Sequence, residues 1–513
     1  MKSNLLLYLS GILFFLDTVL IGLFSYLNKY INVDITAYIY TFFREKTGTS
    51  KDVIIHAVKN MVPFVVIAIL VPVFLIILFN RKKISFRIEF GLKNKKKHVV
   101  DGISLFSRCF LILCILIMAL TVRRIDKTYS IYDDYIRQKS EPTYIYDENY
   151  VNPYDVEISG ENTNNLILIY LESIETTFMS KEDGGGLDYE LLPNLRNLAE
   201  ENINFSANDG IGGFNSPYGT TWTMGALFAS ESGLPFMFPI DGNSMGTDLA
   251  FASKVPTLGD ILSDYNYNLE YLCGSDATFA GRSSFYKTHG DFTIFDYYTA
   301  VEKGYTDEYV WWGLDDELLY EIAKDELNTL SQQDDPFCLV MLTVDTHHIG
   351  GYVCDLCRND YDNQYANVVA CADRQIYDFV GWLREQDFYA DTTIVIVGDH
   401  PTMDATLISS NLAGSNKMEN RKNNDIDSNI GRYVYDCFIN SRAETDRIKN
   451  REFNTLDLFP TILASMGFEI EGDRLGLGTN LFSQETTLQE RYDYFYLNEE
   501  FSKYSEYCQE NFW

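Results

Sequence analysis

The chain has 513 residues, 46% of them hydrophobic, 15% aromatic and 22% charged, with a formal charge of −32. That length supplies several domains and a large core, and the aromatic content excludes a disordered or low-complexity chain. So acidic a body repels polyphosphate, which excludes nucleic acid as a partner.

The charge is unevenly divided. Residues 1–122 hold 15 Lys+Arg against 6 Asp+Glu, and the remainder holds 26 against 67. The basic part contains three apolar runs, Leu5 to Leu27, Val62 to Phe79 and Leu105 to Val122. Each has the length that crosses a hydrocarbon layer of about 30 Å as a helix. The first carries Asp17, the third Arg108 near its start, and the second no charge at all. No small-x-small cleavage site follows the first run, so a signal peptide does not account for it. Between the second and third lie Arg81, Lys82, Lys83, Arg87, Lys93, Lys95, Lys96 and Lys97. Such a loop stays in the cytoplasm. Residues 30–59 and everything after Val122 are then outside, against the weaker pull of Arg123 and Arg124. The expected layout is a multi-pass membrane region over 1–125 and an extracellular linker over 126–160. A folded domain over 161–486 and a docking tail over 487–513 complete it.

From Asn165 the pattern changes. Leu166–Leu171, Leu269–Leu272, Cys338–Val344 and Thr393–Val397 read as buried strands. Residues 191–201, 223–232, 315–330, 366–384 and 457–466 read as helices. Strands alternating with helices give an α/β fold with a mostly parallel central sheet flanked by helices. Ligands in such folds gather beyond the C-terminal strand ends. There the sequence places Glu172 and Ser173 after the first strand, Asp345, Thr346, His347 and His348 after the third, and Gly398, Asp399 and His400 after the fourth. The body has four histidines, and three of them fall in these two clusters.

The glycine-rich stretch Gly210–Gly219 leads into a helix whose first turn carries hydroxyls, Thr220, Thr221 and Thr223. A helix N-terminus favours an anion. A threonine hydroxyl becomes a useful nucleophile when a divalent cation lowers its pKa, and Glu172, Asp399 and His400 offer that cation two carboxylates and an imidazole. Taken singly, each has a plainer reading: Glu172 as a strand-end charge, Asp399-His400 as a cap and a surface histidine. Glu175 is expected on the following turn. Cys354 and Cys357 form a CxxC with Cys371 fourteen residues on. With no second CxxC or paired histidine, a zinc knuckle is not expected; a local disulfide is the preferred reading, with free thiols as the alternative.

The motifs LESIE at 171–175, GTTWTMGALFASESGLP at 219–235, DATFAGRSSFYKTHG at 276–290, TVDTHH at 343–348 and VGDH at 397–400 resemble those of the sulfatase-like phosphoglycerol transferases. That family, within the alkaline phosphatase superfamily, includes lipoteichoic acid synthase and the glucan phosphoglycerol transferases. The resemblance covers roughly residues 160–485 and extends to TLDLFPTILASMGF and GLGTNL near the end. It implies a sulfatase-like catalytic domain and one divalent metal ion, usually manganese with magnesium or zinc as alternatives, held by Glu172, Thr223, Asp399 and His400. Thr223 is then the nucleophile, chosen over Thr220, Thr221 and Ser230. His347 contacts the head group and protonates a leaving oxygen, Arg282 binds the head group, and His348 stands beside them. The donor implied is phosphatidylglycerol, and the acceptor a glycan or polyglycerol phosphate.

One departure is visible. Cys273 and Ala280 stand where the lipoteichoic acid enzymes have His and Trp, which is closer to the glucan-modifying branch. Ser216-Pro217-Tyr218-Gly219 lacks the C/S-x-P-x-R frame of arylsulfatases and argues against sulfate-ester hydrolysis. Phosphoethanolamine transfer, plain phosphodiester hydrolysis, and a silent glycan-binding surface protein are the alternatives.

Overall fold

A computed structural model describes residues 2–30, 51–80, 87–90, 98–161, 163–237, 251–404, 407 and 431–512. The chain divides into two compact units, one of Met1–Asn32 with Lys51–Ile131 and one containing Tyr132–Trp513. In the first, helices α1 (Lys2–Tyr30), α2 (Lys51–Asn80) and α3 (Gly102–Tyr129) are long and apolar enough to cross a membrane. Their outer surfaces carry Leu5, Ile12, Leu16, Phe74, Ile112 and Leu120, while Ser10, Asp17 and Ser107 are buried between them. This inversion suits a lipid solvent, in which apolar side chains gain nothing by hiding. Gly22 lets α2 close on α1, since a Cβ there would lie 2.7 Å from the Phe64 ring. Residues 31–50 and most of the basic loop between α2 and α3 lie outside the described residues.

The stretch expected as an extended linker is partly helical. It contains α4 (Ile131–Ser140) and a short helix at Ile145–Asn149. Ile145 and Tyr146 are buried in the core, and Ile158–Ser159 pairs with Glu469–Ile470, so part of the segment enters the core of the body. At the other end Leu488, Leu497, Phe501 and Cys508 from three short helices join the same core.

The body is built on a seven-stranded sheet. Its strands are β1 (Asn165–Leu171), β2 (Gly213–Phe214), β3 (Asn268–Cys273), β4 (Thr293–Phe295), β5 (Phe337–Leu342), β6 (Thr392–Gly398) and β7 (Val434–Ile439). Their spatial order is β2-β7-β6-β1-β5-β3-β4. The run from β6 to β4 is parallel; β7 and β2 attach antiparallel at one edge. β5, β6 and β7 are buried along their whole length, as expected of a sheet covered on both faces. One core lies on each face. The first is packed by α6 (Thr223–Ser232) and α10 (Leu458–Met466), the second by α5 (Pro193–Glu201), α8 (Asp316–Leu330) and α9 (Gln364–Leu383).

Register does the rest. Leu171 lies opposite Gly398 and Tyr170 opposite Leu342, so β1, β5 and β6 end together and release their next residues at one edge.

Candidate metal and nucleophile site

Beyond that shared edge the chain turns sharply. After β1, Ser173 takes a left-handed conformation with φ 57°, which turns the chain at the strand end. Gly398 makes room for this turn, because a Cβ at that position would lie 1.9 Å from the Ile174 carbonyl oxygen. The Ser173 amide donates to Asp399 Oδ1 at 2.7 Å, and its hydroxyl donates to Glu172 Oε1 at 2.6 Å. Ser173 therefore ties the two carboxylates together, a role with no signal in the sequence beyond its place in the turn.

α6 enters from the opposite side. Its N-cap is Trp222, no side-chain hydrogen bond caps it, and Thr223 is its first residue. The positive end of the helix is thus turned toward the Thr223 hydroxyl. That hydroxyl lies 3.3 Å from Glu172 Oε2 and 3.3 Å from His400 Nε2. Two of the rival hydroxyls are otherwise engaged. Thr220 donates to the Pro217 carbonyl at 2.8 Å, and Ser230 bonds Tyr170 in the core at 2.7 Å.

His400 is completely buried, and its Nδ1–H donates to the Pro401 carbonyl at 3.0 Å. That assignment leaves the Nε2 lone pair facing Thr223 and the carboxylates. Nε2 is 3.3 Å from Asp399 Oδ2 and 3.6 Å from Glu172 Oε1. One ligand atom each of Glu172, Asp399 and His400 falls within 4.8 Å of the others.

These residues fit a cation on their own chemistry. Two buried carboxylates and an imidazole lone pair converge, and Asp399 Oδ2 is buried without a hydrogen-bond donor. Burial and the Glu172 charge push the Asp399 carboxyl up, while His400 and two backbone amides pull the other way. Burial would also raise Glu172, but His347, His400, Ser173 and Thr223 outweigh it and hold that carboxyl down. Burial lowers His400, yet Asp399 and Glu172 more than restore it. A positive charge is what such a cluster lacks.

His347 is half-buried beside this cluster, with its Nδ1–H donated to the His348 carbonyl at 2.7 Å. Its ring packs against Trp312, 4.6 Å away by centroid, and against His348, stacked at 4.4 Å. Burial holds the imidazole below its ordinary pKa. His348 is pushed lower still by burial and by its two histidine neighbours, and its Nδ1 is buried without a partner. Arg282 begins α7 (Arg282–Thr288) and is buried, donating to Ser275 Oγ at 3.0 Å and to the Asp276 and Phe279 carbonyls at 2.8 and 3.1 Å. Its charge is felt at both Glu172 and His347. Burial works against the guanidinium, but Tyr271, Cys273, Asp276 and Glu172 raise its pKa.

Two neighbours, Arg432 and Trp312, were not anticipated from the sequence. Glu175 points away from the cluster into a buried ion pair with Arg432, whose Nε donates to Oε2 at 2.7 Å. Its Oε1 accepts from the Thr402 amide at 3.3 Å, which pins the chain just past His400. Trp312, which braces His347, lies in a Trp-Trp-Gly turn whose only signal was its aromatic density. Asp345, by contrast, stays out of the site: it is buried beside Asp316, which accepts from the Val344 and Asp345 amides at 2.7 and 3.1 Å.

Residues 164–468 match the model of the sulfatase family. Among curated proteins the chain is similar to phosphoglycerol transferase I of Xanthomonas campestris pv. campestris, 34% identical over 63% of this chain and 43% of that protein. It is also similar to phosphoglycerol transferase I of Salmonella paratyphi B, 31% identical over 47% of this chain and 31% of that protein. The chain thus spans less than half the length of these relatives. Among solved structures, the lipoteichoic acid synthase LtaP of Listeria monocytogenes aligns with 69% of this chain and 81% of its own, at 18% identity and a TM-score of 0.48.

Proposed function

Since the chain belongs to the sulfatase family, we propose that it is a membrane-anchored phosphoglycerol transferase with Thr223 as nucleophile. One observation carries this reading. The Thr223 hydroxyl opens a helix 3.3 Å from both Glu172 Oε2 and His400 Nε2, at the strand ends where an α/β sheet presents its ligands. The name shared by relatives at 31–34% identity favours phosphoglycerol over other head groups.

Glu172, Thr223, Asp399 and His400 are the residues that would hold a divalent cation, manganese before magnesium or zinc. Bound there, it would make the threonine oxygen more acidic and screen the charge of the phosphate. The chain's own groups supply the rest. Glu172 Oε2 accepts the hydrogen bond of the hydroxyl and orients the Oγ1 lone pairs. The N-terminus of α6 favours the phosphate anion. In the first half-reaction a Thr223 Oγ1–P bond forms, the P–O bond to diacylglycerol breaks, and the threonine's proton ends on the departing diacylglycerol oxygen. In the second, a glycan or polyglycerol-phosphate hydroxyl takes the phosphoglycerol and the threonine is restored. His347, neutral near pH 7 with its Nδ1–H engaged, presents Nε2 as an acceptor. It is suited to a head-group hydroxyl or to the proton of the incoming acceptor. Arg282 stands close enough to add its charge to the phosphoglycerol pocket, with His348 as a lining neighbour.

A lipid donor gives the three apolar helices a purpose, since tethering keeps the site at the bilayer. On this reading the body lies outside the cell membrane. The test is intact-mass analysis of the full chain in lipid nanodiscs containing phosphatidylglycerol. An adduct of phosphoglycerol mass mapping to Thr223 is expected, and phosphatidylethanolamine should leave the mass unchanged. An adduct from phosphatidylethanolamine alone, or turnover with an adduct on another residue, overturns the reading.

A further inference from the structure

The chain between His348 and α9 carries a second constellation, outside the site just described. Cys354 Sγ lies 3.6 Å from Cys357 Sγ and 3.7 Å from Cys371 Sγ, and all three sulfurs fall within 4.8 Å of one another. The local disulfide expected for the CxxC is not formed: Cys354, Cys357 and Cys371 are all free thiols. Cys371, on α9, enters as a third partner at nearly the same distance.

These spacings have a chemical meaning. Two sulfurs bound at about 2.3 Å to one tetrahedral metal ion lie about 3.8 Å apart. Two thiols in mere van der Waals contact have no reason to recruit a third into the same triangle. The surroundings agree. Cys354 and Cys357 sit on one tight turn, with the Cys357 amide donating to the Cys354 carbonyl at 3.1 Å. Gln375, one turn further along α9, places Nε2 3.6 Å from Cys371 Sγ and 3.8 Å from Cys354 Sγ. The Gln375 side chain is buried and its Oε1 has no hydrogen-bond partner. Turned over, the same amide would offer that oxygen to the cluster; as placed, it donates to two sulfurs, as groups around bound thiolates do. Cys354 and Cys371 are buried while Cys357 is partly exposed, so an ion has a way in.

We infer that Cys354, Cys357 and Cys371 form a thiolate site for a zinc-class divalent cation, faced by the Gln375 amide. Binding converts three thiols to thiolates and releases their protons to solvent. The site joins the irregular loop after His348 to α9. That loop is otherwise tied down by Tyr352 N–H to the Asp345 carbonyl at 2.7 Å, Gly350 N–H to Asp404 Oδ2 at 2.8 Å and Gln364 Nε2 to the Gly350 carbonyl at 3.0 Å. The ion is thus a staple on the segment that carries His347 and His348.

Cobalt substitution separates this site from the one at Thr223, because only this one has sulfur ligands. The full chain, purified in detergent without reductant or chelator, is expected to contain one zinc released by a thiol-specific mercurial. Reloading with Co2+ should give thiolate-to-cobalt charge-transfer absorption in the near ultraviolet. Asp399→Asn should keep that band. Cys371→Ser should lose it, and Cys357→Ser, at the exposed corner, repeats the test where the buried change prevents folding. Differential alkylation that finds Cys354 and Cys357 oxidised to one another in the native protein, or a cobalt protein with no sulfur band, overturns the inference.

Discussion

The two ends of α6 present the same chemistry in opposite states. At its C-terminal end Glu231 is buried in the core, where Tyr286 and Tyr170 donate to Oε1 at 2.7 and 3.3 Å. Burial pushes its pKa up to about 8 in spite of those bonds, so this acid is neutral near pH 7 and needs no counter-charge. At the N-terminal end Glu172, Asp399 and the His400 lone pair converge on Thr223, and Asp399 Oδ2 has no donor. Burial is common to both ends and so marks neither as reactive. What distinguishes the site is a surplus of acceptors over donors, which the core end has resolved with tyrosines.

The sharpest way to break this contrast is Thr223→Ala. On the proposed reading it removes the attacking oxygen, and release of diacylglycerol from phosphatidylglycerol should fall by on the order of 10³-fold or more. The thermal midpoint should move little, because one partly buried hydroxyl is lost and no cavity of consequence opens. Thr220→Ala, three residues earlier, should do the reverse: it loses structural bonds to Pro217 and Thr455 but no reacting group. A Thr223→Ala protein with more than a tenth of normal turnover would contradict the assignment.

Next in size is the support under the site. Arg432→Met leaves Glu175 buried and unpaired, the costly half of a broken ion pair, and should lower stability by about 3–5 kcal/mol. Urea unfolding followed by tryptophan fluorescence reads this directly. Adding Glu175→Leu should recover much of the loss, since an apolar pair of similar volume carries no desolvation penalty. If the single change costs under about 1 kcal/mol, the pair is not what holds the segment after His400.

The quiet end of α6 makes a pH prediction of its own. Glu231 holds its proton up to about 8 when folded but loses it near 4.5 when unfolded. Between those values the folded state binds more protons, so stability falls as pH rises through this window and levels off above it. Glu231→Gln removes the dependence. The thermal midpoints of the two proteins should converge near pH 4.5, and the variant should be more stable by a few kcal/mol at pH 8–9. An unchanged difference across that range would mean the carboxyl is ionised in the fold.

Much of this was legible in the sequence, for a definite reason. β1, β5 and β6 are uninterrupted apolar runs, and the polar residues that end them are the ones parallel register aligns, so Glu172, His347 and Asp399-His400 could be gathered without coordinates. The edge was not legible. β7, with Asp436 inside it, and the two- and three-residue strands β2 and β4 carry too little pattern to announce themselves. The helices within residues 126–160 are not legible, because Ile145 and Tyr146 are isolated apolar residues in a polar stretch and only the core they enter makes them structural. Ser173 and Arg432 act through a backbone turn and a partner 257 residues away, neither of which is written locally. CxxC is a local pattern and suggests a pair; that Cys371 joins it is settled only by where α9 packs.

The finest distinction between the two ends lies at His347. Unlike the tyrosines around Glu231, which only satisfy, Trp312 shields a group with a free nitrogen. Burial keeps the imidazole below its ordinary pKa, so it is neutral through the neutral range and gains a proton only as pH falls. Trp312→Ala admits water to that ring face, and the acid limb of kcat/KM should shift upward toward the ordinary histidine range. Losing the brace should also raise KM for the lipid about tenfold, the worth of roughly 1.4 kcal/mol of positioning, with kcat less affected. Trp312→Phe, which keeps a ring over the imidazole, should restore most of the affinity and move the limb back. A limb that stays in place in both variants would make Trp312 mere packing and leave His347 without the desolvated environment that its proposed role requires.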